Sequence, residues 1–245
     1  MKNDKPVHNQ TVLISNDKIS VILPSDKWEY SNSMITIIDA QGKYQLPASA
    51  EMHTHGNDYS RWVFNLFLYY GNTTIRFMDG NEALLEWRDC MCQHQMLSPD
   101  ISVAAKLIDG NLPVWGKLQD GPVITQPDSA ELVVLDQMKQ GYEFIKLYPR
   151  LSPAVYKKLL QAYYNHNIKV MGHIPVNIPR EDILTRQTGE IEHLSGYARM
   201  ASNFDTVFVS TRATNSDAYT DQELGGNYSM EKIYAAERKT KAIHI

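Results

Sequence analysis

Two histidines separated by one residue, His53 and His55, stand in the run EMHTHGND. Side chains alternate along a strand, so period two puts both imidazoles on one face, where they can chelate a single ion. A His-x-His pair alone is a weak signal, because histidines fall two apart in strands by accident. Lys146 lies in YEFIKLYP, where Phe144, Lys146 and Tyr148 share one face of a strand expected to be buried on both sides. Burying an ammonium group is costly unless it is neutral, paired or modified. A neutral lysine amine can add carbon dioxide to give a carbamate, an anion able to bridge two divalent ions. The plainer reading is a lysine that snorkels from the strand end or pairs with a core carboxylate. His173 closes IKVMGH, and His193 lies in GEIEHLSG.

These residues need a frame that brings them together, and the sequence pattern supplies one. From Thr11 to about Leu46, short β-branched runs (TVLIS, KISVILP, MITIIDA) alternate with turn material, which predicts a small β module over residues 1–46. Beyond Pro47, strand-like runs alternate with stretches of helical period, the pattern of repeated βα units around a parallel sheet. Strands are expected over residues 48–53, 73–78, 101–107, 142–148, 168–173 and 189–194. Helices are expected near 59–70, 80–97, 127–141, 152–166 and 178–187. Ser152-Pro153 and Pro127-Asp128 are recognisable helix starts.

About six βα units result, and a closed barrel of this type has eight. The expected fold is therefore α/β: an incomplete TIM (β/α)8-type barrel over 47–245, preceded by a small β-sandwich module over 1–46. Four histidines and one lysine, each at the carboxyl end of a predicted strand, converge on one mouth if those strands are neighbours in a parallel barrel. The joint pattern is far stronger than any member. His8, His94, His166 and His244 fall in terminal, helical or turn contexts and read as surface residues.

Weaker candidates accompany this set. Tyr148 could reach a substrate carbonyl, or could simply pack at the mouth. Arg76, in TTIRFM, could bind a substrate carboxylate, but a buried arginine paired with a neighbouring acid is the preferred reading. Cys90 and Cys92 point in different directions on a predicted helix and read as ordinary thiols. The glycines form no phosphate-binding pattern, so no nucleotide site is expected.

Composition limits the partners. With 43% hydrophobic and 21% charged residues the chain is globular, and 24 basic against 28 acidic residues leave a net charge of −4 with no basic face. Nucleic acid and membrane are not expected partners: no apolar run approaches the roughly 20 residues that span a bilayer. The amino terminus has no apolar segment behind its first lysine, which makes the cytoplasm the expected location.

The ordered set EMHTH, YEFIKLYPRLSP, VMGHIP and IEHLSGY resembles the amidohydrolase superfamily, in particular its imidazolonepropionase-like and prolidase-like branch. The likeness runs from about Thr11 to about Tyr197 and includes LYYGNTTIRFMDG after the first predicted helix. It implies a binuclear centre of two divalent ions, usually zinc. His53 and His55 would hold one ion, His173 and His193 the other, with carboxylated Lys146 bridging. The implied activity is metal-dependent hydrolysis of a C–N bond in a small amide, cyclic amide or dipeptide, using a metal-activated water.

Family members take a catalytic aspartate from the eighth strand, and no such strand is recognisable here. Asp205, Asp217 and Asp221 fall in Thr- and Asn-rich sequence, and AAERKTKAIHI reads as a helix. Pro47-Ala48 stands where relatives commonly show Pro-Gly. The alternative expectation is accordingly a truncated, catalytically inactive amidohydrolase fragment that binds metal or a partner chain at most. Its open barrel edges would favour homo-oligomerisation or association with another chain.

Overall fold

The computed structural model describes residues 5–29, 34–56, 61–93, 95–118, 120–179 and 189–196. The chain divides into two compact units, Met1–Leu46 and Pro47–Ile245. In the first, β1 (Gln10–Ser15) and β2 (Lys18–Pro24) form an antiparallel hairpin. Its turn places Asn16 and Asp17 at φ 49° and 60°, the left-handed conformation that Asn and Asp tolerate best among non-glycine residues.

The expected sandwich is reduced, among the described residues, to this one two-stranded sheet. The third β-branched run, residues 34–40, makes no strand. Apolar, β-branched composition favours a strand only where a partner edge and a covering layer exist. Here Ile37 and Ile38 are exposed, as are Ile14 and Ile22 of the hairpin.

The second unit alternates strand and helix: β3 (Ser49–Thr54), α1 (Arg61–Tyr69), β4 (Asn72–Phe77), α2 (Glu82–Cys92), β5 (Asp100–Val103), α3 (Ala130–Lys139), β6 (Phe144–Leu147), α4 (Pro153–Asn165), β7 (Lys169–Gly172) and β8 (Glu190–Ile191). All pairings in this unit are parallel, in the orders β3-β4-β5 and β6-β7-β8. Parallel bridges Ala104↔Phe144 and Ile108↔Leu147 join the two sheets, so β3 to β8 lie side by side in chain order. A strand order that never reverses is the barrel-type winding, as opposed to the doubly wound sheet with its switch point. No closed barrel is formed among the described residues.

Burial follows from this winding. Ile75, Arg76 and Phe77 of β4 and all four residues of β6 are buried, as expected for strands covered on both faces. Helices α1 to α4 supply the covering layer, with Phe64, Leu84, Val134, Val155 and Leu159 in the core. The side chain of Asn81 caps α2 by accepting from the Leu84 N–H at 2.9 Å, and Ser152 caps α4 by accepting from Val155 N–H.

The α3 segment begins as a 3-10 turn at Pro127–Ser129, where the sequence places its start. Cys90 and Cys92 are free thiols on α2. Among the described residues no helix is long and apolar enough to cross a membrane. Most of the helix expected at 178–187 lies outside the described residues. So do His94, His244, Asp205, Asp217, Asp221 and the carboxy-terminal helix.

The strand expected at 189–194 is shorter than its apolar pattern suggests. Only Glu190 and Ile191 pair with β7, and Glu192–Leu194 turn into a 3-10 segment with His193 at φ 54° and Leu194 at φ 55°. A side chain at the end of so short a strand is aimed by the turn, not by strand alternation.

Candidate metal centre

Because the strands are parallel, their carboxyl ends open on one side, and the sequence-predicted residues gather there. His53 lies on β3 and His55 directly after it; their Nε2 atoms are 3.0 Å apart. Lys146, on β6 and 1% exposed, places Nζ 3.3 Å from Nε2 of His55. His173 follows β7 and is buried. His193 bends back over the mouth in its left-handed turn, so that its ring lies 4.4 Å from that of His53 and 5.4 Å from that of His173, centroid to centroid. The Tyr148 ring lies 4.7 Å from that of His173, centroid to centroid and tilted by 57°, and the Lys146 nitrogen sits 5.4 Å from the Tyr148 ring. All five residues of the expected ligand set, with Tyr148, thus form one continuous cluster.

The donor set suits a divalent ion of borderline softness. Ligand bonds of about 2.0–2.1 Å in tetrahedral geometry separate two donor atoms by about 3.3 Å, close to the spacing found between the His53 and His55 nitrogens. His55 is pushed down to about 4, first by burial and then by the Lys146 charge and the neighbouring imidazoles. Burial also lowers His53, against its hydrogen bond to Glu192, which acts to raise it. Both rings are therefore neutral near pH 7, the form that offers a lone pair to a metal.

Sequence reasoning did not single out the acids behind this cluster. Glu192, nearly buried, faces His53 Nδ1 with one carboxylate oxygen at 2.6 Å and accepts from Arg76 Nη2 at 2.8 Å with the other. Arg76 also donates Nη1 to Glu190 and Nε to the Met52 carbonyl. The preferred reading of Arg76, a buried arginine paired with an acid, holds. An acid inside an apolar strand run such as GEIEHL needs a partner, and Arg76 is a buried cation in need of one, but no local pattern joins the two.

His53, Glu192 and His193 each bring one donor atom to within 4.8 Å of the others. Both Glu192 oxygens are engaged, one by Arg76 and the other by His53. Trp115, in the loop after β5, was also missed; its Nε1–H donates to the Tyr148 hydroxyl at 3.2 Å. Of the two remaining described histidines, His8 is exposed in the first unit, and His166 lies at the end of α4, 2.7 Å from Glu131.

No protein-family model matches this chain, and no curated protein does. Solved structures do. A bottromycin amidohydrolase superposes with a TM-score of 0.60 at 20% identity, over 77% of this chain and 39% of its own. A Xaa-Pro dipeptidase with methionine bound in its active site gives 0.52 at 16% identity, over 66% and 51%. A prolidase complexed with N-methylphosphonate-L-proline gives 0.55 at 16%, over 78% and 53%. Over the part that aligns, the chain shares the fold of these structures, and it spans between about two-fifths and about half of their length.

Proposed function

We propose that this chain provides the metal-binding part of a hydrolase of C–N bonds, acting on a small amide, cyclic amide or dipeptide. The observation that carries the reading is the convergence of His53, His55, Lys146, His173 and His193, from four different strand ends, on one mouth. Scattered structural histidines have no reason to meet in this way. The likeness of the fold to amidohydrolases and prolidases supports it.

In this reading His53 and His55 would hold one divalent ion and His173 and His193 a second, with Lys146, as a carbamate, supplying an anionic ligand. Zinc is the first choice for imidazole and carboxylate donors. The carbamate would form from the fraction of Lys146 that is unprotonated: its nitrogen adds to the carbon of carbon dioxide, one C–O π bond opens onto oxygen, and one proton leaves. Bound ions would supply Lewis acidity toward the scissile carbonyl and lower the pKa of water at the site.

The remaining work falls to this chain's own groups. Tyr148 accepts from Trp115 and offers its own O–H toward a substrate carbonyl. The buried end of β6 keeps water from the Lys146 stem. Elemental analysis of purified protein, beside a His53→Ala/His55→Ala double variant, tests the proposal. About two equivalents of metal, lost in the variant, support it, and a screen of amides and dipeptides then follows. Metal near zero in both well-folded proteins rejects it.

A further inference from the structure

The hydrogen-bond chain that ends on His53 has a direction. Arg76 on β4 and Glu192 after β8 form a buried ion pair, and Glu192 turns its second oxygen to His53 Nδ1 at 2.6 Å. An ionised carboxylate accepts hydrogen bonds and cannot donate one. With Nδ1 unprotonated, its lone pair would oppose the carboxylate oxygen at that distance. The stable arrangement puts the proton on Nδ1 and leaves the lone pair on Nε2, the atom 3.0 Å from His55 Nε2.

We propose that Glu192 is a positioning residue. It fixes His53 in the Nδ1–H tautomer and in its ring orientation, with Arg76 holding the carboxylate in place, so that the pair sets how tightly His53 grips a divalent ion. The inference rests on the metal-centre reading and adds to it a residue that would touch neither metal nor substrate. Three features exclude simple packing as the whole account. Glu192 uses both carboxylate oxygens on different partners. The partner on one side is a nearly buried arginine that also clamps Glu190 and the Met52 carbonyl, one residue before His53. The partner on the other side is one of two histidines whose Nε2 atoms already stand at ligand spacing.

Outer carboxylates of this kind orient a ligating imidazole and raise its basicity, and losing one typically costs about 10- to 100-fold in metal affinity. The proposal is tested on the full chain in two ways. Long-range proton–nitrogen NMR on metal-free protein reads the His53 tautomer, with the signal identified by its loss in His53→Gln. Nδ1–H is expected; Nε2–H overturns the proposal whatever the Glu192 variants do.

Zinc affinity by chelator competition is then compared across wild type, Glu192→Ala and Glu192→Gln. A loss of about 10- to 100-fold is expected in the alanine variant, a smaller one in the glutamine variant, which keeps an acceptor for Nδ1–H, and unchanged stoichiometry at saturation in both. Loss of a metal equivalent at saturation would make Glu192 a ligand, and unchanged affinity in Glu192→Ala would leave it structural; either result rejects the positioning role. If wild-type protein binds no zinc, the functional reading fails while the tautomer measurement still decides the role of Glu192 toward His53.

Discussion

The Lys146 nitrogen lies 3.3 Å from Nε2 of His55, at the end of a strand whose four residues are all buried. A lysine that snorkelled to solvent would extend away from the histidines, and Lys146 is 1% exposed, so that half of the plainer reading has no support in the geometry. Lys146→Gln keeps most of the side-chain volume and removes the amine to which carbon dioxide can add. Metal content is expected to fall from about two equivalents to about one or fewer by elemental analysis. Native mass spectrometry of the wild type should show an increment of one carbon dioxide that the variant lacks. Undiminished metal would take Lys146 out of the ligand set.

Gly172, the last residue of β7, has φ +125°, and a Cβ there would run into the Leu147 carbonyl oxygen and stand 2.8 Å from the Leu147 nitrogen. These are backbone atoms of the neighbouring strand and cannot rotate away. Gly172→Ala should therefore force β7 off β6 and carry His173 with it. A stability loss of at least about 2–3 kcal/mol is expected in urea unfolding. A variant as stable as the wild type would mean the strands can separate at little cost.

Tyr163 is buried on α4, and its hydroxyl has no hydrogen-bond partner among the described residues. Removing that oxygen removes a desolvated polar group and opens almost no space. Tyr163→Phe should be neutral or stabilising by about 1–3 kcal/mol.

Burial also holds the Tyr163 phenol well above its ordinary pKa. Above about pH 10 the unfolded chain then loses this proton while the folded one keeps it. The Tyr163 contribution is thus intact below pH 10 and erodes by about 1.4 kcal/mol per pH unit above it. The phenylalanine variant should lack this part of the alkaline decline, which denaturation midpoints across pH 9–11 would reveal.

Asp109 is buried and accepts from the backbone N–H groups of Gly110, Val114 and Arg150 at 2.9, 2.8 and 2.9 Å. It ties the loop that carries Trp115 to the chain just after β6. Asp109→Ala leaves three donors without their acceptor and should cost about 3–5 kcal/mol, while Asp109→Asn, which retains an acceptor oxygen, should cost less. Equal losses in the two variants, by chemical denaturation, would show that the loop does not depend on that acceptor.

How much of this was legible beforehand differs from residue to residue. His53 and His55 could be paired from strand alternation alone, and His173 and Lys146 from their places near strand ends, because parallel winding converts position along a strand into position around a mouth. The caps at Ser152 and Pro153 are local chemistry and were visible for that reason. Residues 34–40 were read as a strand because β propensity says nothing about whether a partner edge is present.

His193 was placed correctly in space but on the wrong element; a turn with two left-handed non-glycine residues has no apolar period to announce it. Glu192 escaped notice because its meaning lies in contacts with Arg76 and His53, 116 and 139 positions away, which no local pattern encodes.

That last separation bears on how the centre comes into being. His53 and His55 leave the ribosome early, whereas Glu192 and His193 follow more than a hundred residues later. Contacts spanning such distances form slowly, since the intervening chain must be ordered first. A nascent chain would therefore expose the His-x-His pair before the carboxylate that orients it exists in folded form. If the proposed centre binds metal, an ion met at that stage would find a loose two-histidine chelate, and oriented binding would begin only once β8 and the turn after it are in place.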